Sequence, residues 1–217
     1  MTLVKRLDIL GRMEQQIIWQ AFAQKNNLTE NQLQQFQHYY DLLIAANELF
    51  NITAITDLES VIAYHFEDSL KLGQFIDMHS IASIGDIGTG GGFPGIPLKI
   101  AYPHLQVLLL EVSQKKINFL ENVVSELGLE NVETCDFDWR TFLRKTDGAI
   151  DLFCARASLH PDELLRMFAG SSSYQDGTLV YWASQEWKAT EKEKPFLKKM
   201  HEYTVGNRKR FYAIFKK

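Results

Sequence analysis

The spacing of apolar and polar residues divides the chain into a helical first part and an alternating second part. Apolar positions recur on a helical period from 4 to 22, and more regularly from 33 to 50, where Tyr40 is one of them. Thr29 and Gln32 stand three residues apart just before the second run, which is the spacing of a capping box at a helix start. We therefore expect the first 50 residues to be helical.

From residue 81 onward, short apolar runs alternate with segments of helical period. The apolar runs predict five strands, at 81–87, 107–110, 132–135, 150–155 and 178–183. The intervening and following segments predict helices at 115–127, 139–144, 161–169 and 186–194. Apolar residues on either side of Gly206 and Asn207 predict a final hairpin, 201–205 with 210–215. Such alternation is typical of a doubly wound, Rossmann-like α/β sheet with helices on both faces.

One stretch, IASIGDIGTGGGFPGIPL, combines a strand pattern with a dense run of glycines. Glycine accepts positive φ angles and, lacking Cβ, lets a ligand lie against the backbone. The spacing differs from the G-x-G-x-x-G of dinucleotide sites, because the sixth position from Gly88 is Phe93. It fits D-x-G-x-G-x-G, which is similar to motif I of S-adenosylmethionine (SAM) methyltransferases: Asp86, Gly88, Gly90 and Gly92. The alternative is a glycine turn that binds nothing, and it is disfavoured because each glycine adds entropy to the unfolded chain.

A second acidic residue, Glu111, ends the apolar run at 107–110. A carboxylate at the end of that strand can accept hydrogen bonds from both hydroxyls of a ribose. We therefore expect Glu111 to bind the cofactor together with the residues of the glycine turn.

Composition and charge narrow the classes of protein to which the chain can belong. Its 217 residues are 46% hydrophobic, which is enough for a full core. No apolar run is long enough to span a bilayer, and residues 1–10 show no signal-peptide pattern. Cys135 and Cys154 have neither metal-ligand nor disulfide spacing, so we expect no metal and a reducing, cytoplasmic environment. Segment 186–217 has ten Lys and Arg against four Glu, or +6, whereas the rest is −10; this basic end favours a polyanionic partner.

Several short motifs occur in a characteristic order along the chain: Asn51-Ile52-Thr53, His65-x-x-Asp68-Ser69, DIGTGGGFPGIPL, Leu109-Leu110-Glu111 with Lys115-Lys116, and Arg156-Ala157-x-Leu159. Together they resemble the bacterial small-subunit ribosomal RNA guanine-N7 methyltransferase family, also called glucose-inhibited division protein B. The continuation Pro94-Gly95-Ile96-Pro97 after the glycines is distinctive, since ordinary methyltransferases lack it. The resemblance extends from about residue 30 to the end of the sequence.

The resemblance implies a SAM-dependent methyltransferase fold with a mainly parallel seven-stranded sheet, a C-terminal antiparallel hairpin and an N-terminal helical extension. We expect residues 1–72 to form the extension and 73–217 the SAM-binding domain. The implied cofactor is SAM, and the implied partner is 16S ribosomal RNA or the small ribosomal subunit. We further expect a monomer that binds no membrane.

The resemblance also assigns individual residues. Gly88 and Phe93 match cofactor-contacting positions of the glycine turn, and Glu111 stands where the family usually has Asp at the ribose. Trp139 and Arg140 match the positions that flank the adenine. Arg156, a candidate catalytic residue, matches an arginine beside both cofactor and substrate; the alternative for it is a structural salt bridge.

His65 is the second candidate catalytic residue. It stands three residues before Asp68 in segment 57–72, so the two would share one face of a helix. A structural pair and a functional group are both compatible with that spacing.

Three departures from the family pattern leave the substrate open. Tyr64 and Asp138 occupy positions where the family usually has arginine, and Ala183-Ser184 replaces a Lys-Gly pair. Lost cations weaken phosphate binding. A methyltransferase for another RNA or a small molecule, and a non-catalytic SAM- or RNA-binding assembly protein, are therefore the alternatives to a ribosomal RNA guanine-N7 methyltransferase.

Overall fold

The computed structural model describes the backbone of residues 3–217 and the side chains of residues 11–217. The first two helices are those expected, α1 (Leu3–Asn26) and α2 (Glu30–Leu49). The capping box is confirmed, because Thr29 Oγ1 accepts from the Gln32 N–H at 3.3 Å and Gln32 Oε1 accepts from the Thr29 N–H at 2.9 Å. The segment in which no signal-peptide pattern was found, 1–10, has its side chains outside the described part.

Further helices and single turns of helix follow these two. In chain order they are α3 (Leu58–Val61), a π-helical stretch (Ile62–Glu67), α4 (Asp68–Leu70), two 3-10 turns (Lys71–Gln74 and Met78–Ser80), α5 (Gly95–Ala101), α6 (Gln114–Glu126), α7 (Trp139–Lys145) and α8 (Pro161–Leu164), which continues as a 3-10 turn (Leu165–Phe168). Gly128 follows α6 with φ +60°, the conformation expected of a glycine that ends a helix. No helix within 3–217 has both the length and the apolar character needed to cross a membrane.

Seven strands form one sheet in the order β3-β2-β1-β4-β5-β7-β6. The strands are β1 (Ser83–Ile87), β2 (Gln106–Leu110), β3 (Val132–Cys135), β4 (Leu152–Arg156), β5 (Thr178–Ala183), β6 (Leu197–Val205) and β7 (Arg208–Phe215). The first five are parallel, whereas β7 is antiparallel to both β5 and β6. The predicted mainly parallel sheet with a C-terminal hairpin is thus confirmed. Since the order reverses between β1 and β4, the carboxyl ends of these strands border a crevice of the kind in which such sheets bind ligands.

Two apolar layers cover the two faces of the sheet. Along β4, Leu152 and Cys154 belong to one layer, and Phe153 and Ala155 belong to the other, as the period of two in a strand requires. The first layer also contains the buried side chains of α1 and α2. The helical extension therefore packs on the face of the sheet that the first layer covers.

One predicted helix is wrong. Residues 186–194 form turns and irregular backbone rather than a helix. The Thr190 N–H donates to Glu193 Oε2 at 2.7 Å, which closes a local turn in place of a helical hydrogen-bond ladder. Pro195 follows directly and disfavours helical backbone at the residue before it.

Asp68 ties the helical part of the chain to the sheet. Its side chain is completely buried and its Oδ2 accepts from Arg156 Nη1 of β4 at 3.1 Å. The Tyr203 hydroxyl of β6 donates to Asp68 Oδ1 at 2.6 Å, and the Tyr212 hydroxyl of β7 donates to the Asp68 carbonyl at 2.9 Å. The Trp182 indole N–H of β5 also donates to this carbonyl, at 3.4 Å. One residue thus joins the helical segment to four strands.

We expect Asp68→Asn to lower the free energy of unfolding by about 3–5 kcal/mol, because it removes one partner of a buried ion pair and leaves the Arg156 charge uncompensated. Glu202→Gln is the matched control: Glu202 pairs with Lys209 at 3.1 Å, but both side chains are more than half exposed. Its loss should cost less than about 1 kcal/mol. Urea unfolding of both variants checks this, and equal costs would contradict the role given to Asp68.

Candidate active site

The glycine turn between β1 and α5 has a backbone that other residues rarely adopt. Gly88, Gly90 and Gly92 have φ angles of +65°, +62° and +99°. Asp86 closes the turn from within: its Oδ2 accepts from Thr89 Oγ1 at 2.6 Å and from the Gly95 N–H at 2.8 Å. Asp86 therefore holds the turn in shape.

The Asp86 carboxyl is itself in an unusual environment. Burial raises its pKa to about 6, although the hydrogen bonds from Thr89 and Gly95 act in the opposite direction. Its second oxygen, Oδ1, is buried and has no hydrogen-bond partner among the residues described.

The helical extension holds the same turn from outside. The fully buried Tyr39 of α2 donates its hydroxyl hydrogen to the Gly91 carbonyl, and its ring stacks on Phe93 with 5.5 Å between centroids. The apolar spacing predicts Tyr40 for the inner face of this helix turn, but Tyr39 is the buried one and Tyr40 is half-buried. Both lie one turn after Phe36, so helical spacing alone does not distinguish them.

A cleft of about 350 Å³ opens at the carboxyl ends of β1, β2 and β4. Of the predicted residues, Gly88, Glu111 and Trp139 line it. Glu111 Oε2 accepts from the Gly90 N–H at 3.0 Å, and Oε1 accepts from the Ser113 N–H at 3.0 Å. Glu111 thereby links the end of β2 to the glycine turn, and each of its oxygens keeps a lone pair for a further donor.

Several residues of the cleft were not predicted to belong to it. They are Ile87, Leu110, Val112, Lys116, Phe137, Ala157, Ser158 and Leu159, together with Asp138. Val112 has 65% of its surface exposed, although it is apolar and stands only two residues after the end of β2. The position of Val112 in the sequence, next to Glu111 at the end of β2, is the feature from which its place in the cleft could have been predicted. Asp138 caps α7 by accepting from the Thr141 N–H at 2.8 Å.

The two residues expected to flank the adenine point in different directions. Trp139 is buried in the cleft wall, where its indole N–H donates to the Glu163 carbonyl at 3.0 Å. Arg140 does not line the cleft: its side chain is 63% exposed and pairs with the Glu163 carboxylate at 2.8 Å. Successive residues of a helix point about 100° apart, so only one of the two can face the cleft.

Arg156, His65 and Phe93 form a second group beneath the glycine turn. The Arg156 guanidinium lies 5.2 Å from the centre of the Phe93 ring and donates to Asp68, to the Tyr64 carbonyl at 3.1 Å and to His65 Nδ1 at 3.3 Å. The buried salt bridge considered for Arg156 is therefore present. Its side chain keeps 11% of its surface exposed.

The surroundings of His65 favour one protonation state and one tautomer of its imidazole. Its ring stacks on Phe93 with 4.4 Å between centroids, and burial together with the Arg156 charge lowers its pKa to about 3. Nδ1 accepts from Arg156, so we assign the hydrogen to Nε2, which lies 2.8 Å from Thr53 Oγ1. The imidazole is thus neutral, and His65 meets Asp68 only through Arg156.

Comparison with known proteins identifies the family. The family model described as GidB, rRNA small subunit methyltransferase G, matches residues 32–210. A protein of Lachnoclostridium phytofermentans named ribosomal RNA small subunit methyltransferase G is 52% identical over 106 residues, which are 49% of this chain and 44% of the relative. A protein of the same name from Aster yellows witches'-broom phytoplasma is 37% identical over 152 residues, 69% of this chain and 71% of the relative. The matched stretch spans about half the length of the first curated relatives.

Solved structures agree on the fold. A SAM-dependent methyltransferase from Aquifex aeolicus superimposes with a TM-score of 0.51 at 17% identity, covering 79% of this chain and 97% of that one. The mainly parallel seven-stranded sheet is thus that of a Rossmann-like SAM-methyltransferase fold. Since the family model covers most of the sequence, the chain belongs to the GidB family of rRNA small subunit methyltransferase G.

Proposed function

We propose that this chain transfers a methyl group from SAM to N7 of a guanine in 16S ribosomal RNA of the small ribosomal subunit. The observation that carries the proposal is the hydrogen bond from the Gly90 N–H to Glu111 at the edge of the cleft. It places a carboxylate with free lone pairs beside a glycine backbone that a ligand can approach closely. The family membership supports the choice of RNA.

The residues present fit SAM. A Cβ built on Gly90 would meet no atom within 4 Å, so open space lies against this part of the turn. Glu111 would bind the ribose hydroxyls, and Trp139, Val112 and Leu159 would form the apolar walls around the adenine. When bound, SAM supplies a methyl group on a positively charged sulfur.

The proposed reaction requires little acid–base catalysis by the protein. Guanine N7 has a lone pair and no proton, so no base has to remove one. This agrees with a neutral His65 whose two ring nitrogens are both engaged. Catalysis then depends on positioning the two reactants.

Arg156 is the residue we assign to orienting the substrate. A guanidinium has five N–H donors, and its contacts to Asp68, Tyr64 and His65 use three of them. We propose that a remaining donor binds guanine O6 or a neighbouring phosphate.

A cation lies beside Tyr64, the residue that stands where the family usually has arginine. The Tyr64 hydroxyl donates to Asn207 Oδ1 at 2.7 Å, and the Arg208 guanidinium lies 4.1 Å from the centre of the Tyr64 ring. This arrangement favours an RNA substrate. Among the described side chains, Asp138 forms no salt bridge, and its carboxylate accepts only from Thr141 of α7. This favours the second candidate, a methyltransferase for another RNA or a small molecule.

One experiment separates the two candidates. Labelled SAM is offered with small ribosomal subunits, naked 16S RNA or a pool of metabolites, and the labelled nucleoside is then mapped. We expect label in 7-methylguanosine from the ribosomal substrates. Label confined to a small molecule or to another RNA would establish the second candidate, and no transfer to any of them would overturn the proposal.

We expect Gly90→Ala to abolish or strongly weaken SAM binding, because its methyl group would occupy space that the cofactor needs. Gly128→Ala is a matched control, since Gly128 has nearly the same φ, +60°, and also meets no atom within 4 Å of its Cβ position. The left-handed backbone should cost each variant a similar ~1–2 kcal/mol of stability. Calorimetry should show normal SAM affinity in the control only; equal affinities would count against the proposed cofactor site.

We expect Arg156→Lys to reduce methyl transfer by about ten- to a hundredfold, because a lysine cannot reproduce the several directed N–H bonds of the guanidinium. Arg210→Lys is the control, since Arg210 also faces Asp68, with its Nε 3.6 Å from Oδ1. Both variants should lose some thermal stability, but only Arg156→Lys should lose turnover. Equal turnover at a lower melting temperature would leave Arg156 with the structural salt bridge alone.

The basic C-terminal segment supplies a test of RNA binding. Arg210 faces Asp68 and Lys209 pairs with Glu202, so the exposed pair Lys198 and Lys199 is the better probe. We expect replacement of both by Gln to weaken RNA binding and to lower the slope of log K against log salt by about one for each phosphate that is no longer neutralised. SAM affinity should not change.

The control for that change is Arg144→Gln with Lys145→Gln, a second pair of neighbouring exposed cations, at the end of α7. The control should leave the salt slope unchanged. Equal slopes in all three proteins would exclude the C-terminal hairpin from the RNA-binding surface.

A further inference from the structure

Three side chains with metal-binding chemistry converge outside the cleft. His160 and Asp162 stand at the start of α8, and Glu193 comes from the connection between β5 and β6. One potential ligand atom from each lies within 4.8 Å of those of the other two. The sequence alone predicts no metal site, because Glu193 is far from the other two in the chain and the three follow no ligand spacing.

Glu193 is the residue that points to a missing partner. It is completely buried, and its Oε1 has no hydrogen-bond partner in the part of the chain with described side chains. That oxygen lies 3.9 Å from His160 Nδ1. Within the same residues, no Lys or Arg nitrogen comes within 4.0 Å of the carboxylate of Glu193 or of Asp162. A buried carboxylate without a cation is costly, so a positive partner at this point would stabilise the fold.

We propose that His160, Asp162 and Glu193 bind a divalent transition-metal ion, for which Zn²⁺ is the best match. Zn²⁺ binds imidazole nitrogen and carboxylate oxygen at about 2.0–2.2 Å, which places tetrahedral ligands about 3.3 Å apart. His160 and Asp162 are exposed and can rotate toward the buried Glu193 oxygen. The hydrogen bond that His160 Nδ1 would give up, from the Asp162 N–H, is long, at 3.4 Å. Mg²⁺ and Ca²⁺ prefer sites made only of oxygen ligands.

The ion would join two loops at the cleft side of the sheet. His160 directly follows Ser158 and Leu159, which line the cleft. Glu193 lies in the turn that Thr190 closes. Binding would therefore fix the wall formed by the loop after β4, and this holds whether or not the proposed methyl transfer is correct.

The test is calorimetric titration of the metal-free protein with Zn²⁺, with Mg²⁺ as a comparison. We expect one saturable Zn²⁺ site that raises the melting temperature. His160→Gln and Glu193→Gln should each weaken it more than about tenfold, as loss of a ligand requires. Gln at 193 can still accept from the Thr190 N–H, and His160 is exposed, so both variants should fold.

His38→Gln is the matched control. His38 is also exposed and lies 3.4 Å from a carboxylate, Glu126, but no third ligand joins this pair among the described side chains. The His38→Gln variant should bind Zn²⁺ with the same affinity as the unmodified protein. Equal Zn²⁺ binding and melting temperatures in the unmodified protein and all three variants would overturn the proposal, as would the lack of saturable binding to the unmodified protein.

Discussion

The left-handed backbone of the glycine turn is the constraint on which the site depends. Glycine loses more conformational entropy on folding than any other residue, so the turn needs partners to hold it. Asp86 holds it from β1, Glu111 from β2 and Tyr39 from α2. Because these three residues come from separate elements, the turn is held in this shape only when the sheet and the helical extension are both correctly packed.

The second constraint is the buried charge of Asp68 and Arg156. Their ion pair joins the helical segment to β4, and the two tyrosines of the hairpin complete the hydrogen bonds of Asp68. Burial, together with the charge of the same guanidinium, keeps His65 neutral, and the guanidinium lies against the Phe93 ring. A group that orients a substrate can do so accurately when its other donors are fixed, and this network gives Arg156 both a structural and a proposed catalytic role.

The hairpin connects this network to the basic end of the chain. Tyr203 and Tyr212 face inward to Asp68, whereas Lys198 and Lys199 of β6 face solvent. One pair of strands thus contacts the helical segment through its buried tyrosines and carries exposed lysines near the start of β6. The C-terminal segment therefore carries exposed positive charge although the chain as a whole is acidic.

Residue spacing was enough to predict most helices, the strand order along the chain, the capping box at Thr29, the glycine turn and the acidic end of β2, because each depends on residues close together in the chain. Which side chains meet depends instead on packing. Packing buries Tyr39 rather than Tyr40, turns Arg140 away from the cleft and joins Arg156 to Asp68 across 88 residues. Side-chain direction and long-range ion pairs are set by how elements pack, and local periodicity carries no information about that.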